Sequence, residues 1–210
     1  MNKIITISRQ FGSGGREIGA KLAAKLGIPY YDNELISRAA KESGFSEAAF
    51  ENAERKATNS LLYSIAMGMN AYGNQEIGYA HLSLDDQLYL AQSNVIRKVA
   101  AEGPCVIVGR CADYILRDHP DVVRIFIWAD LESRKRRAVS LYHLKENKAE
   151  EEILKTDKSR ANYYNYHANE KWGKAENYHL SIKSDYLGID NSVECILRFL
   201  EYGERGKTTI

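Results

Sequence analysis

The chain has 210 residues, of which 44% are hydrophobic, and a formal net charge of +1 at pH 7. That length and that apolar share suit a single domain covering residues 1–210. Because the charges nearly balance, no overall field attracts the chain to nucleic acid or to a membrane surface, and we expect neither as a partner.

The cysteines and the apolar segments indicate the cellular location of the protein. Cys105, Cys111 and Cys195 lack metal-ligand spacing and are odd in number, so we expect free thiols, as in cytosolic proteins. The N-terminus begins with an apolar strand rather than a leader pattern, and no apolar run reaches the roughly 20 residues of a membrane helix. The sequence therefore predicts a cytoplasmic protein.

Strands and helices alternate from the first residues onward. In chain order the first half is predicted to contain a strand over 4–8, a turn over 9–15, a helix over 17–26, a brief strand over 28–31, a helix over 33–41, a polar helix over 46–60 and a long helix over 84–101. Asp32 is expected to cap the helix that follows it. Residues 67–80, rich in Gly and Asn, are predicted to be a loop within a helical excursion over about 45–82.

The second half continues the alternation. Its predicted elements are a strand over 105–108, a short helix over 112–117, a strand over 122–128, helices over 131–144 and 150–169, a strand over 178–183 and a last helix that Asp190 caps and that ends near 200. Five strands alternating with helices predict an α/β three-layer fold with a five-stranded parallel sheet. Ligands of such folds bind beyond the carboxyl ends of the strands, so we expect a ligand site at that edge of the sheet.

The first candidate for that site is the glycine-rich segment "FGSGG", between the first strand and the first helix. Gly12, Ser13, Gly14 and Gly15 can bring backbone N–H groups around an anion, and the helix N-terminus adds its dipole. The segment lacks the lysine and the Ser/Thr of the G-x-x-x-x-G-K-[ST] pattern. On these residues alone, a tight structural turn is the alternative.

The same stretch resembles the start of a cytidylate kinase, a P-loop nucleoside monophosphate kinase that reads approximately I-T-I-D-G-P-S-G-S-G-K-G-T here. Aligned without gaps, Gly12 to Gly14 match the central G-S-G, Gly15 falls on the lysine and Glu17 on the threonine. The resemblance implies that residues 12–16 hold nucleotide phosphates. Arg16, a long cation that binds phosphate bidentately, is the expected replacement for the lysine. Glu17 either ligates Mg²⁺ or simply favours the helix N-terminus.

Two further segments resemble the acceptor side of the same family. In "YYDNELISRA", Asp32 and Arg38 fall on the family's aspartate and arginine, which implies that Arg38 holds the acceptor's phosphate and that Asp32 lies near the acceptor. In "VIVGRCADYIL", Gly109 and Arg110 match a G-R-D-M-G motif, and we expect Arg110 to contact substrate. The alternatives for Asp32 and Arg38 are a helix cap and a solvated side chain.

The segment "WADLESRKRRAV" resembles the family's arginine-rich lid helix, with Glu132, Arg134 and Arg137 matching. Asp157 and Arg160 match a second lid helix more loosely. The resemblance implies a helical lid over about 131–170 whose Arg134, Arg137 and Arg160 act in catalysis by neutralising the transferred phosphates. An exposed, charged helix is the alternative. The tyrosines near residue 164 and the segments "SRQ" and "VIVGR" are similar to the divergent cytidylate kinase-like family.

The implied function is ATP-dependent phosphoryl transfer to a nucleoside monophosphate, with a CMP- or dCMP-like acceptor and with Mg²⁺. The metal ligands and the oligomeric state are left open. One alternative is a protein that binds nucleotides or other phosphorylated ligands without transfer, since the loop lacks the lysine and the hydroxyl. Another is a kinase for a non-nucleotide small molecule, since Cys111 replaces the aspartate that reads cytosine in the family and residues 45–82 are unmatched.

Overall fold

The computed structural model describes residues 3–56 and 83–207. Within these ranges the strands are β1 (Ile4–Arg9), β2 (Tyr30–Tyr31), β3 (Cys105–Val108), β4 (Val122–Trp128) and β5 (Leu180–Lys183). They form one sheet in the order β2-β3-β1-β4-β5, and every neighbouring pair is parallel. All five carboxyl ends therefore lie along one edge, with β1 in the middle.

Helices cover both faces of this sheet, which confirms the predicted three-layer α/β fold. The described helices are α1 (Gly15–Leu26), α2 (Glu34–Ser43), α3 (Glu47–Lys56), α4 (Leu84–Glu102), α5 (Ala112–Ile115), α6 (Leu131–Tyr142), α7 (Glu146–Ala168), α8 (Ser184–Leu187) and α9 (Ile189–Lys207). A 3₁₀ turn at Ala175–Asn177 precedes β5. Among the described helices, none combines the length and the apolar character that a membrane span needs.

The central strand is buried on both sides, as its sequence indicates. Ile5 and Ile7 point into the core formed with α1 and α9, while Ile4 joins the core formed with α2, α4 and α7. Burying each such side chain contributes about 1.5–3 kcal/mol. This explains the isoleucines at positions 4, 5 and 7, between which the small polar side chains of Thr6 and Ser8 are also buried, whereas Arg9 is charged where the strand ends.

Two predicted helix caps are wrong. Asn33 rather than Asp32 occupies the cap position of α2, and no side chain caps that helix. The Asp32 carboxylate instead forms ion pairs with Arg9 and Arg16. Asp190 lies inside the first turn of α9, where it binds Lys21 at 2.7 Å. In both places the carboxylate forms an ion pair with a cation of another element and does not cap the helix.

Helices α6 and α7 follow β4 and pack against the loop that precedes α1. A Cβ added at Gly12 would lie 2.8 Å from the carbonyl oxygen of Arg134 in α6. The two helices fall within the lid predicted over 131–170, and closure of that lid stays a prediction. The loop predicted at 67–80 and the end of the helix predicted at 46–60 lie outside the described residues.

Candidate active site

The glycine-rich loop turns sharply between β1 and α1. Gly12 and Gly14 have φ values of 78° and 81°, in the left-handed region that favours glycine, and Gly14 is the N-cap of α1. The buried Ser13 hydroxyl donates to the Gln10 carbonyl oxygen at 2.9 Å, which fixes the turn internally. The first N–H groups of a helix have no intrahelical acceptors, so this turn presents donors suited to an anion.

The Arg9 side chain lies across two glycines at the centre of the sheet edge. A Cβ at Gly15 would lie 2.6 Å from the Cβ of Arg9, and a Cβ at Gly109 would lie 1.9 Å from its Nη1. No side chain larger than hydrogen fits at either position beside this arginine. The Arg9 side chain is 13% exposed, so its charge lies mostly out of bulk water.

A cavity of about 610 Å³ opens beside Arg9 at the carboxyl ends of the strands. Its described lining consists of polar and charged side chains, five of them cationic and two anionic: Arg9, Arg16, Asn33, Glu51, Arg110, Glu152, Lys155, Thr156, Ser159 and Arg160. The five that belong to α7 recur at helical spacing and so share one face. Because cations outnumber carboxylates here, the cavity suits phosphate groups although the whole protein is nearly neutral. We call it the arginine cavity.

Asp32 links the two arginines on the wall of the arginine cavity. It is buried, its Oδ2 pairs with Nε of Arg16, and its Oδ1 lies 3.7 Å from Nη2 of Arg9. Arg16 also donates from Nη2 to the side-chain oxygen of Asn33 at 3.4 Å. The Arg16 side chain nevertheless remains 53% exposed, unlike that of Arg9. The predicted phosphate ligand Arg16 thus lies at the outer wall.

Arg110 is held in the arginine cavity by a strained turn after β3. Gly109, Arg110 and Cys111 have consecutive positive φ values of 77°, 60° and 55°. A left-handed backbone is uncommon for non-glycine residues and concentrates at functional sites. The Gln92 side chain donates to the Arg110 carbonyl oxygen at 3.3 Å and supports the turn.

Three charged residues of α6 and α7 fasten those helices to the glycine-rich loop. Buried Arg134 forms an ion pair with Asp157, whose other oxygen accepts the Phe11 N–H at 2.7 Å. Burial raises the pKa of Asp157, while the Phe11 N–H and Arg134 act in the opposite direction. Arg160 donates to the Arg9 carbonyl oxygen at 3.2 Å and reaches the arginine cavity.

Arg137 lies on the outer side of the loop. Its Nη2 is 2.9 Å from Glu17 Oε2, and this hydrogen bond is the largest cause of the lowered pKa of Glu17. Lys21 also pairs with Glu17, at 3.4 Å. A second cavity of about 560 Å³ lies on this side, and its walls include aromatic rings. Its lining comprises Arg16, Glu17, Ala20, Tyr30, Asp32, Asn33, Glu34, Arg137, Leu141 and Tyr142.

The structure does not bring Arg38 to this edge. Its guanidinium lies 3.6 Å from both Glu34 and Glu102, and 5.1 Å from the centroid of the Tyr31 ring. Arg38 thus connects the first turn of α2 to the last residue of α4. Among the described residues, those lining the two cavities do not include Arg38. Its role in holding the acceptor's phosphate stays a prediction.

Sequence reasoning missed Arg9 and Lys155. Arg9 is the last residue of a buried strand, and an arginine just after such a strand is the signal that identified Arg110. Arg9 was overlooked because the family has glycine at that position of the sequence comparison. Lys155 belongs to a polar helix face that also carries Glu152, Thr156 and Ser159. Spacing of three and four residues could have revealed that face, since these positions recur along one side of the helix.

The described residues contain no large cluster of metal-ligating side chains. Groups of three or more His, Cys, Asp or Glu with the arrangement of a metal centre are absent among them. Glu17 is engaged by Arg137 and Lys21, and Asp32 by Arg9 and Arg16. Mg²⁺ usually binds one or two carboxylates together with substrate phosphates. Since Glu17 and Asp32 already pair with cations, Mg²⁺ would be held mainly through the substrate phosphates.

Comparisons with known proteins agree with this geometry. A family model described as the cytidylate kinase-like family matches residues 4–186. The crystal structure of an uncharacterized protein from Eubacterium ventriosum ATCC 27560 has a TM-score of 0.71 and 28% sequence identity, covering 95% of this chain and 99% of that chain. A search of curated protein sequences gave no significant match.

Shikimate kinases share the fold at low identity. The enzyme from Bacteroides thetaiotaomicron gives a TM-score of 0.54 and 16% identity, covering 96% of this chain and 99% of that chain. The enzyme from Acinetobacter baumannii, in complex with shikimate, gives 0.51 and 12%, covering 97% and 95%. At these identities the likeness concerns the P-loop kinase fold alone.

Proposed function

Because the chain belongs to the cytidylate kinase-like family, we propose that it transfers the γ-phosphoryl group of ATP to a nucleoside monophosphate, with CMP or dCMP as acceptor. The family comprises kinase-like, nucleotide-binding transferases, so phosphoryl transfer is the general class of reaction. The identity of the donor and the acceptor is the part that we propose. The reaction takes place in the cytoplasm, in keeping with the free thiols of Cys105, Cys111 and Cys195.

The convergence of arginines on the glycine-rich loop is the observation that supports the proposal most strongly. Gly12 to Gly15 offer backbone donors, while Arg16, Arg110 and Arg160 line the adjacent arginine cavity. Phosphoryl transfer requires mainly positioning and charge neutralisation, because the transferred group is anionic throughout the reaction. A helix N-terminus beside several cations provides both.

The cations have separable roles in this proposal. The loop and Arg16 hold the donor phosphates, and Arg110 holds the acceptor's phosphate with Asp32 orienting the neighbouring cations. Arg134 acts through the loop, since its guanidinium bonds Phe11 and Asp157. Arg137 reaches the donor phosphates after releasing Glu17, which now holds it.

The aromatic side of the second cavity supports a nucleotide ligand. Tyr30 and Tyr142 contribute rings, and Arg16 and Arg137 contribute charge within the same 560 Å³ space. A nucleobase stacks favourably on aromatic rings, and its phosphates pair with guanidinium groups. The Arg137 hydrogen bond lowers the pKa of Glu17, and Arg137 stays paired with this carboxylate until a phosphate competes.

A non-nucleotide acceptor is the second candidate, and one observation favours it. The described lining of the arginine cavity contains no aromatic or aliphatic side chain. Small-molecule sites for flat heterocycles usually present apolar walls. Glu51 and Glu152 among the cations suit hydroxyl groups, as in a sugar phosphate, which would receive the phosphoryl group in place of the nucleotide.

An acceptor panel tests the proposal. The protein is incubated with ATP, Mg²⁺ and, separately, CMP, dCMP, UMP, AMP, GMP or a sugar phosphate, and products are separated by mass. We expect ADP and a diphosphate product with CMP or dCMP. Product only from the sugar phosphate would favour the second candidate. Tight ATP binding without any product would identify a binding protein instead.

Matched variants guard this assay against a contaminating kinase. Arg110→Ala removes a guanidinium from the arginine cavity, and a preparation of it should lose turnover. Arg198→Ala removes an exposed guanidinium on α9 that pairs with Glu201, and it should keep the wild-type rate. Equal turnover in wild type and Arg110→Ala would contradict the placement of the reaction in this cavity.

A further inference from the structure

We propose that Arg9 is the cation that contacts the transferred phosphoryl group, in place of the lysine that position 15 lacks. This inference rests on the proposed phosphoryl transfer. It names the residue that neutralises the negative charge of the transferred group. It differs from the expectation drawn from the sequence, in which Arg16 replaces the lysine. The two arginines share Asp32 as a partner but differ in exposure, 13% for Arg9 and 53% for Arg16, so variants can separate them.

The position of Arg9 follows from the sheet order. Arg9 is the last residue of β1, and β1 lies between β3 and β4 in the middle of the sheet. In parallel open sheets ligands bind beyond the carboxyl ends, where the central strands end. Arg9 therefore leaves the core directly below the glycine-rich loop.

The space around Arg9 is the space that a lysine at position 15 would need. The Cβ of a residue at 15 would lie 2.6 Å from the Cβ of Arg9 and 3.0 Å from its Cγ. From there the side chain extends to Gly109, where an added Cβ would meet Nη1 at 1.9 Å. The strand thus supplies a side chain whose stem lies beside the first turn of α1 and whose guanidinium lies beside Gly109, and glycine at both neighbours makes room for it.

The surroundings of Arg9 favour a strong interaction with an anion. Its side chain is 13% exposed, compared with 53% for Arg16, and a charge that is less screened by water interacts more strongly. Arg160 donates to the Arg9 carbonyl oxygen, and Asp32, 3.7 Å from Nη2 of Arg9, orients the guanidinium while offsetting part of its charge. Arg9 also joins Arg110 and Arg160 around a small recess that continues inward from the arginine cavity.

Arg16 lacks these features. Its Nε pairs with Asp32 and its Nη2 donates to Asn33. Arg16 also lines both the arginine cavity and the second cavity, and so lies between them. Its charge reaches phosphates at the periphery, where water competes for the same groups. The sequence comparison placed it one residue beyond the lysine, and the fold directs it outward.

Arg9 takes no proton and forms no bond in the reaction. The bond from the γ-phosphorus to the β-γ bridging oxygen breaks, a bond to an acceptor oxygen forms, and ADP carries away the electron pair. The acceptor's phosphate oxygen is already deprotonated at neutral pH. Arg9 donates two N–H groups to non-bridging oxygens of the transferred group, where charge must be offset in the transition state.

The experiment compares Arg9→Ala, Arg9→Lys and Arg16→Ala with wild type and the exposed control Arg198→Ala, using ATP and the acceptor that the panel identifies. We expect Arg9→Ala to lower kcat by about 10²-fold or more, as loss of a transition-state donor does. Arg16→Ala should lower kcat by less than about tenfold. Arg9→Lys should recover part of the loss, because lysine restores charge without the bidentate geometry. A kcat for Arg9→Ala within about threefold of wild type would overturn the proposal.

Two further readouts keep this inference separate from the proposed function. If wild type turns over no acceptor, the proposed function fails. ATP affinity, measured by calorimetry, then tests whether Arg9 is the main contact to the nucleotide phosphates. We then expect at least about tenfold weaker binding in Arg9→Ala than in Arg16→Ala, and equal affinities would overturn the assignment. If Arg9→Ala fails to fold by circular dichroism, Arg9→Lys is compared with Arg16→Lys. A larger loss in Arg16→Lys would then reject Arg9.

Discussion

Asp157 of α7 binds Arg134 of α6 with one oxygen and the Phe11 N–H with the other, at 2.7 Å. Both side chains are largely buried, at 7% exposure for Arg134 and 12% for Asp157. The pair therefore joins two helices to the glycine-rich loop in an environment that screens charges poorly. Loop geometry in this protein depends on a contact 146 residues away in the sequence.

Replacing one partner of this pair should destabilise the protein. Asp157→Asn keeps an acceptor for the Phe11 N–H but leaves Arg134 buried without its anion, and we expect the free energy of unfolding to fall by about 3–5 kcal/mol. Urea titration measures it. The control Glu150→Gln breaks an exposed pair with Lys135 and should cost less than about 1 kcal/mol. Equal losses in both variants would show that burial does not strengthen the Asp157 pair.

Arg110 and Arg38 were predicted to share one role, and the structure separates them. Arg110→Ala should raise the acceptor KM by about tenfold or more, because it removes a charged contact from the arginine cavity. Arg38→Ala should change that KM by less than about threefold, since Arg38 pairs with Glu34 and Glu102 elsewhere. Steady-state kinetics with varied acceptor concentration gives the acceptor KM of both variants. A larger effect from Arg38→Ala would restore the acceptor role that the family resemblance implies.

Gly12 and Gly27 allow backbone strain to be separated from crowding. Both have positive φ, at 78° and 66°, but a Cβ at Gly12 would meet the Arg134 carbonyl oxygen at 2.8 Å, whereas none of the described atoms lies within 4 Å of one at Gly27. We expect Gly27→Ala to cost about 1 kcal/mol, and Gly12→Ala to cost about 1–3 kcal/mol more. Thermal and urea unfolding provide the comparison. Indistinguishable costs would mean that α6 moves away from the loop freely.

His167 makes stability depend on pH in a defined direction. It stacks on Tyr89 with ring centroids 4.0 Å apart, and burial lowers its pKa to about 4 from 6.5, while nearby Asp86 opposes the shift. Between these values the unfolded chain binds more protons, so this group's contribution to stability rises with pH, by about 3 kcal/mol in total. Burial raises the pKa of Asp113 to about 6, which contributes the opposite slope from 3.8 to 6.

The variant His167→Phe isolates that contribution. Its ring preserves the stacking on Tyr89 but does not titrate. Urea unfolding at several pH values from 4.5 to 7.5 gives the difference in stability between wild type and variant, in which the Asp113 slope cancels. That difference should change in favour of wild type as pH rises to 6.5 and then level off. A difference independent of pH would show that His167 is not buried as a neutral group.

Local patterns determined most of the fold. The runs "CVIV" and "VVRIFIW" became β3 and β4 with the predicted bounds, because strands inside a sheet covered on both faces are mostly apolar, with Arg124 as the one charged residue in these two. Gly27 ends α1 with a positive φ of 66°, as its place after an apolar helical stripe indicates. Alternation of strands and helices was enough for the parallel sheet, since parallel neighbours need crossover connections.

Only the tertiary structure decided which charges meet. Arg9, Gly15 and Gly109 are distant in sequence or belong to different elements, and they come together because β3 pairs with β1 in a specific register. Arg16 and Arg38 both matched family positions in the sequence comparison, yet Arg16 remains half exposed and Arg38 pairs with Glu34 and Glu102. A sequence specifies side-chain chemistry and helical faces locally. Partners of an arginine depend on strand order and on long-range packing, which no short pattern contains.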